Sequence, residues 1–287
     1  MNPTTAAYLR RLGLPAEPPS ARALARLHRA QVERVPYETF WLHLGESWGI
    51  DPVESARRIG HTSRGGYCYQ LNGAFSVLLS DLGYQVSVAV AGVHDPAGPQ
   101  ESTLRNHAAL LVEDCPSEDN PGGRWYLDAG LGDALHEPLP LRTGVYAQGP
   151  MRFAMREVAA GGVGDWHFTH DRGGSFGGVS IVDAPVSMDV FADRHHFHRT
   201  SPESSFAKTP TAQLRHATGT SVVRGVVLTH SDGGVVTTRT CERLGEWLDV
   251  LEGEFGMRLD APKAEVAALW TRVRRAHDTW TAARESA

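Results

Sequence analysis

The run Arg64-Gly65-Gly66-Tyr67-Cys68-Tyr69-Gln70-Leu71-Asn72 sets a cysteine just after a glycine pair. It also heads an apolar helical pattern made by Leu71, Ala74, Phe75, Leu78 and Leu79. Glycines let the backbone turn sharply. A thiol at a helix N-terminus meets the positive end of the peptide dipoles, which favours the thiolate, the form that acts as a nucleophile. Two later segments supply partners. His107 opens the apolar run Ala108-Ala109-Leu110-Leu111-Val112, and Asp128 closes Trp125-Tyr126-Leu127 before the glycine-rich turn Ala129-Gly130-Leu131-Gly132-Asp133. A cysteine on a helix head, with a histidine and an aspartate at strand ends, provides a nucleophile, a base and an orienter. The imidazole takes the thiol proton, and the carboxylate fixes its tautomer and favours its cation. Asp133 is the rival orienter; Asp128 is preferred because it ends the apolar strand.

The elements that must position these residues follow from patterning. Residues 1–83 read as helical. Ser20 caps a helix that carries Leu24, Leu27 and Gln31 on one face and stops at Pro36. Asp51-Pro52-Val53-Glu54 is a second helix start, with a cap residue, proline at the first position and glutamate three after the cap. Gly83 ends the helix that begins with Cys68. Alternating or continuous apolar runs predict strands over 85–91, 107–112, 124–128, 151–158, 166–170 and 222–229. A turn at Asp232-Gly233-Gly234 leads into another strand over 235–239. Helical patterns return over 244–255 and 264–283, and 96–99, 115–123 and 161–164 read as loops. Helices, then strands, then mixed elements predict an α+β fold.

Composition narrows the function. The chain has 287 residues, 41% of them hydrophobic, enough for one large domain or two or three subdomains. A net charge of −5 with no basic stripe argues against nucleic-acid binding. Cys68, Cys115 and Cys241 are odd in number and widely spaced, so neither a disulfide framework nor a zinc ribbon is expected. No secretory pattern and no membrane-length apolar run is found, so the expected location is cytoplasmic, without membrane association.

These motifs resemble the arylamine N-acetyltransferase family, which includes related amide synthases of natural-product biosynthesis. The resemblance rests on RGGxCxxxN at Arg64 to Asn72, the His107 strand, and the D-x-G-x-G-D turn at Asp128 to Asp133. It extends to Val35-Pro36-Tyr37-Glu38-Thr39-Phe40 and Phe206-Ala207-Lys208-Thr209. It implies an N-terminal helical bundle (1–83) carrying the nucleophile, a central antiparallel β-barrel (84–200) carrying His and Asp, and a C-terminal α/β lid (201–287). The core would be cysteine-protease-like, with Cys68, His107 and Asp128 as catalytic triad. The implied reaction is ping-pong acyl transfer from acetyl-CoA or another acyl thioester to an aromatic amine, hydrazine or arylhydroxylamine, with no bound cofactor. The alternative within the fold is an amide synthase that takes a polyketide or peptide acyl chain from an acyl carrier protein.

The resemblance also implies that Arg64 pairs with Glu38 beneath the cysteine loop, and that Gly130, Leu131 and Gly132 form pocket wall near the acyl-donor entrance. Phe40, Tyr67, Tyr69 and Leu131 are candidates for an aromatic-accepting slot. Three positions depart from the family pattern, which has Glu at Gln70, Asn at Thr39 and often Arg at Gly92. They bear on the substrate pocket, and Gln70 and Gly92 lean towards the amide synthase. Arg194-His195-His196-Phe197-His198 resembles a metal cluster, but no carboxylate or cysteine set accompanies it, so it reads as a polar loop and no metal is expected.

Overall fold

The computed structural model describes residues 2–285. Five helices come first: α1 (Pro3–Leu12), α2 (Ala21–Arg34), α3 (Phe40–His43), α4 (Pro52–His61) and α5 (Cys68–Asp81), with a two-residue strand, β1 (Tyr37–Glu38), between α2 and α3. Side-chain caps set three of their starts, the first being Asn2, whose Oδ1 accepts from the Thr4 N–H at 2.9 Å. Ser20 Oγ accepts from the Ala23 N–H at 3.2 Å, and Asp51 Oδ1 accepts from the Glu54 N–H at 2.8 Å, with Pro52 in the first turn.

Eight antiparallel strands follow. They are β2 (Gln85–His94), β3 (His107–Glu113), β4 (Trp125–Leu127), β5 (Leu139–Pro140), β6 (Gly144–Gln148), β7 (Met151–Glu157), β8 (Trp166–Thr169) and β9 (Gly178–Pro185). In the order β5-β4-β3-β2-β9-β8-β7-β6 they curl into a nearly closed barrel. One wall of it lies between two cores, which is why β3 reads as a continuous apolar run. Ala108, Leu110 and Val112 pack into the helical bundle with Leu71, Phe75 and Leu79. Ala109 and Leu111 point the other way, into a barrel interior shared with Tyr126, Phe153 and Phe168.

A short helix α6 (Ala192–Thr200) leads to a second sheet, β10 (Thr211–Arg215), β11 (Gly219–Arg224), β12 (Val227–Asp232) and β13 (Val235–Thr240). Helices α7 (Leu244–Phe255) and α8 (Lys263–Glu285) follow the sheet. The sheet order β1-β10-β11-β12-β13 shows that a strand from the N-terminal helical segment completes the C-terminal sheet. Tyr37 pairs with Gln213 and Glu38 with Ala212. This third core holds Phe40, Leu214, Trp247 and Leu251. No helix among the described residues is long and apolar enough to cross a membrane.

The structure revises two expectations about elements. The predicted strand over 222–229 is two strands joined at Gly225, whose φ of 60° makes the hairpin turn. Residues 192–200 form α6 rather than a polar loop. Strands β1, β5, β6, β9 and β10 were not anticipated.

Candidate active site

Cys68 is the first residue of α5 and is almost fully buried. The loop before it is held on three sides. Glu38 N–H donates to the Gly66 carbonyl at 2.8 Å, and Tyr37 bridges to Gly66. Arg11 of α1 donates to the carbonyls of Ile59 and Thr62, each at 2.8 Å, and to those of Ser63 and Arg64. A Cβ at Gly65 would overlap the Pro36 carbonyl, so this crossing of chains needs glycine. Beneath the loop, Arg64 and Glu38 come together as a buried pair with N–O distances of 3.1 and 3.0 Å, and Arg64 also reaches Glu46 at 3.0 Å. Burial opposes the arginine charge, but Glu38 and Glu46 outweigh it and leave the guanidinium pKa raised. The second Glu38 oxygen accepts from the Phe40 N–H at 2.7 Å.

His107 starts β3 on its barrel-interior side. Its Nε2 lies 2.6 Å from Asp128 Oδ2. That leaves Nδ1 as the ring nitrogen to face Cys68, whose interactions help to raise the imidazole pKa. Burial by itself pushes the imidazole pKa down. The Asp128 charge and hydrogen bond, with those of Cys68, more than reverse this and raise it to about 10. His107 is therefore held as an imidazolium at neutral pH.

Asp128 is anchored by four donors. Oδ1 accepts from Asn72 Nδ2 and from the Gly130 N–H, both at 2.9 Å. Oδ2 accepts from His107 and from the Tyr126 hydroxyl, the latter at 2.8 Å. Asn72 stands one turn after Cys68 on α5. It also donates to the Ala108 carbonyl at 2.6 Å and accepts from the Ala129 N–H at 2.8 Å. One amide therefore ties helix α5, strand β3 and the 128–130 turn together. His28 Nδ1 lies 3.1 Å from the His136 carbonyl, which makes Nδ1 the donor and leaves Nε2 to accept the Asp128 N–H at 3.3 Å. Burial lowers the His28 pKa to about 4, so it stays neutral.

Sequence reasoning named Cys68, His107 and Asp128 but missed Asn72, Tyr126, His28 and Arg11. Two of these had a signal. Asn72 follows Cys68 by four residues and so lies on the same helix face, while Tyr126 precedes Asp128 by two and shares its strand face. Asp133, the rival orienter, instead accepts from Ser175 N–H at 2.8 Å and sits 3.5 Å from His170.

The pocket candidates divide. Gly130 lies directly over the nucleophile: a Cβ there would fall 2.6 Å from the Cys68 Cα. Gly132, at φ 72°, faces Gln213, and Leu131 packs into the barrel core. Tyr67 and Tyr69 flank Cys68 edge to face, with ring centroids 5.2 Å apart. The Tyr67 hydroxyl contacts His195 Nδ1 at 2.5 Å, and that of Tyr69 donates to the Arg105 carbonyl at 2.6 Å. Phe40 is fully buried against Trp247, 5.5 Å away, in the C-terminal core. A cavity of about 10 Å³, room for one water, lies among Tyr37, Asp128, Ala129 and Gln213.

The three departures carry hydrogen bonds and close packing. Gln70 accepts from the Tyr67 N–H at 3.1 Å and donates to the Gly49 carbonyl at 3.0 Å, a pair of roles that a carboxylate could not fill together. Thr39 Oγ1 accepts from Thr211 N–H at 3.1 Å. A Cβ at Gly92 would press on Thr103 at 2.7 Å. His195 and His198 pack beside Tyr67, and burial first, then nearby arginines, lowers both to about 4. Among the described residues no group of three or more His, Cys, Asp or Glu is placed to hold a metal ion. Burial pushes the Cys115 and Cys241 thiols up, which makes them poor nucleophiles.

A thiol on a helix head, with an imidazole that a fixed carboxylate holds, is the layout of enzymes that transfer acyl groups through a covalent cysteine. Comparison with known proteins gives the family. A sequence model for N-acetyltransferases matches residues 20–264, and the chain belongs to the arylamine N-acetyltransferase family. It is 32% identical over 146 residues to the arylamine N-acetyltransferase / N-hydroxyarylamine O-acetyltransferase of Salmonella typhimurium, a stretch covering 50% of each chain. The solved structure of the Salmonella typhimurium arylamine N-acetyltransferase superposes with a TM-score of 0.81 at 22% identity, over 95% of this chain and 99% of that one. The Mycobacterium marinum arylamine N-acetyltransferase in complex with CoA gives 0.81 at 20% identity, over 94% and 99%. None of these proteins is an amide synthase, and the carrier-protein alternative finds no support in them.

Proposed function

We propose that this protein transfers an acetyl group from acetyl-CoA to an aromatic amine or hydrazine, with Cys68, His107 and Asp128 as catalytic triad. The observation that carries the reading is the buried His107, held at 2.6 Å by an Asp128 carboxylate with four donors, together with Cys68 at the head of α5. The Cys68 thiolate attacks the thioester carbonyl, the bond from carbon to the CoA sulfur breaks, and the departing thiolate takes the His107 proton. Backbone N–H groups at the head of α5 stabilise the oxyanion. The amine then attacks the acyl-cysteine, neutral His107 accepts the amine proton, and the carbon–Sγ bond breaks to restore the ion pair.

The interactions that raise the imidazole pKa include two from Cys68, its hydrogen bond and its charge. Acylation removes that charge and weakens that bond. The imidazole then loses its proton more readily, as a base for the incoming amine needs. Three free cysteines suit a reducing compartment, and we place the enzyme in the cytoplasm. Acetyl-CoA should load the enzyme, and an arylamine such as aniline should discharge it faster than water does. Discharge at the same rate with and without arylamines or hydrazines would refute the acceptor assignment.

A further inference from the structure

We propose that Tyr126 is a positioning residue that sets the proton affinity of His107 through the Asp128 carboxylate oxygen the two share. Oδ2 receives His107 Nε2 at 2.6 Å and the Tyr126 hydroxyl at 2.8 Å. Tyr126 lies on β4, and residues two apart share a strand face, so its hydroxyl approaches the carboxylate from its own strand. The side chain is fully buried, with its ring 5.7 Å from Phe168 in the barrel core. Burial, then the Asp128 charge, holds the phenol pKa far above its ordinary value, so the hydroxyl remains a donor throughout the working pH range. A second donor on one oxygen draws negative charge away from the imidazole. The His107 cation is then stabilised less than it would be by Asp128 alone.

The other titratable groups near the pair do not duplicate this effect. Cys68 faces His107 from α5 and loses its charge on acylation. His28 approaches Asp128 from α2 but is neutral. Tyr37 on β1, Tyr67 at the N-cap of α5 and Tyr69 in its first turn have pKa values raised by burial and then by Cys68, and stay protonated. Asn72 and the Gly130 N–H also withdraw charge, but from Oδ1; Tyr126 is the constant donor on Oδ2, the oxygen that receives His107. It keeps His107 from holding its proton so tightly that the neutral imidazole needed as base in the deacylation half-reaction becomes scarce.

The inference rests on the triad reading only for its effect on turnover; its physical core is testable without substrate. Imidazole NMR of His107 in Cys68→Ala, which mimics loss of the thiolate charge, should be compared with Cys68→Ala/Tyr126→Phe. The hydroxyl deletion should raise the His107 pKa by about one unit, a tenfold change in neutral imidazole. Site-specific 3-fluorotyrosine at 126, a stronger donor, should move it the other way. In the enzyme with Cys68 intact, the pH limb of arylamine-dependent deacylation should rise by the same amount for Tyr126→Phe. A merely structural role predicts lower thermal stability with no movement of either limb, and an unmoved His107 pKa in both variants would overturn the proposal. Shifts of opposite sign in an enzyme that accepts no thioester would sustain it while sinking the acetyltransferase reading.

Discussion

Gly130→Ala tests how closely the 128–132 turn is fitted against the nucleophile. The added Cβ would lie 2.6 Å from Cys68 Cα, 2.8 Å from Cys68 Cβ and 3.1 Å from Asn72 Nδ2. Carbon atoms pack comfortably at about 3.5–4.0 Å, so the turn and the head of α5 must separate by roughly 1 Å. The obstacle is backbone on one side and a doubly bonded amide on the other, and neither can swing aside like a flexible side chain. Overpacking of this kind costs about 1–3 kcal/mol. The same movement draws Asp128 away from Asn72 and shifts Cys68 from His107, and a displacement of about 1 Å can cost 10²-fold in rate. Denaturant unfolding should therefore show a loss of about 1–3 kcal/mol, and stopped-flow acylation of Cys68 should slow by about 10²-fold. Unchanged stability together with wild-type acylation would refute the placement of Gly130 over the nucleophile.

Three further outcomes follow from the same geometry. Arg64→Met leaves Glu38 fully buried without its counter-charge, and denaturant melts should record a loss of about 3–5 kcal/mol, with the double variant Arg64→Met/Glu38→Gln recovering part of it. Asp128→Asn replaces a carboxylate that accepts four hydrogen bonds with a group that must present two donors to them. Acylation should fall by about 10²–10⁴-fold while Cys68 remains alkylatable. The pH dependence of that variant's stability has a definite sign. His107 has a folded pKa raised from 6.5 to about 10, so its ion pair contributes fully below pH 6.5 and is lost as pH rises towards 10. The stability gap between wild type and Asp128→Asn should narrow over that window.

The legible parts of the molecule were those whose cause is local. Ser20 and the Asp51-Pro52-Glu54 start announce their helices because capping involves residues within one turn. The apolar run from Ala108 to Val112 predicts a buried strand because both of its faces are covered. Strand β1 was hidden because two residues carry no periodicity, and it exists through pairing with Gln213 and Ala212 far along the chain. Gln70, Thr39 and Gly92 suggested a changed pocket because their partners, Gly49, Thr211 and Thr103, could not be read from the segment around Cys68. The histidines of 195–198 looked like ligands in sequence, yet on a helix His195 and His198 turn towards Tyr67 and pack there as neutral rings.

The central claim is that Cys68 carries the acyl group, and intact and peptide mass spectrometry after mixing the enzyme with acetyl-CoA in the absence of amine tests it most directly. A single acetyl adduct on the peptide containing Cys68 should appear and disappear on adding an arylamine, and Cys68→Ala, with its fold retained, should acquire none. An adduct on Cys115 or Cys241 with Cys68 unmodified would contradict the account.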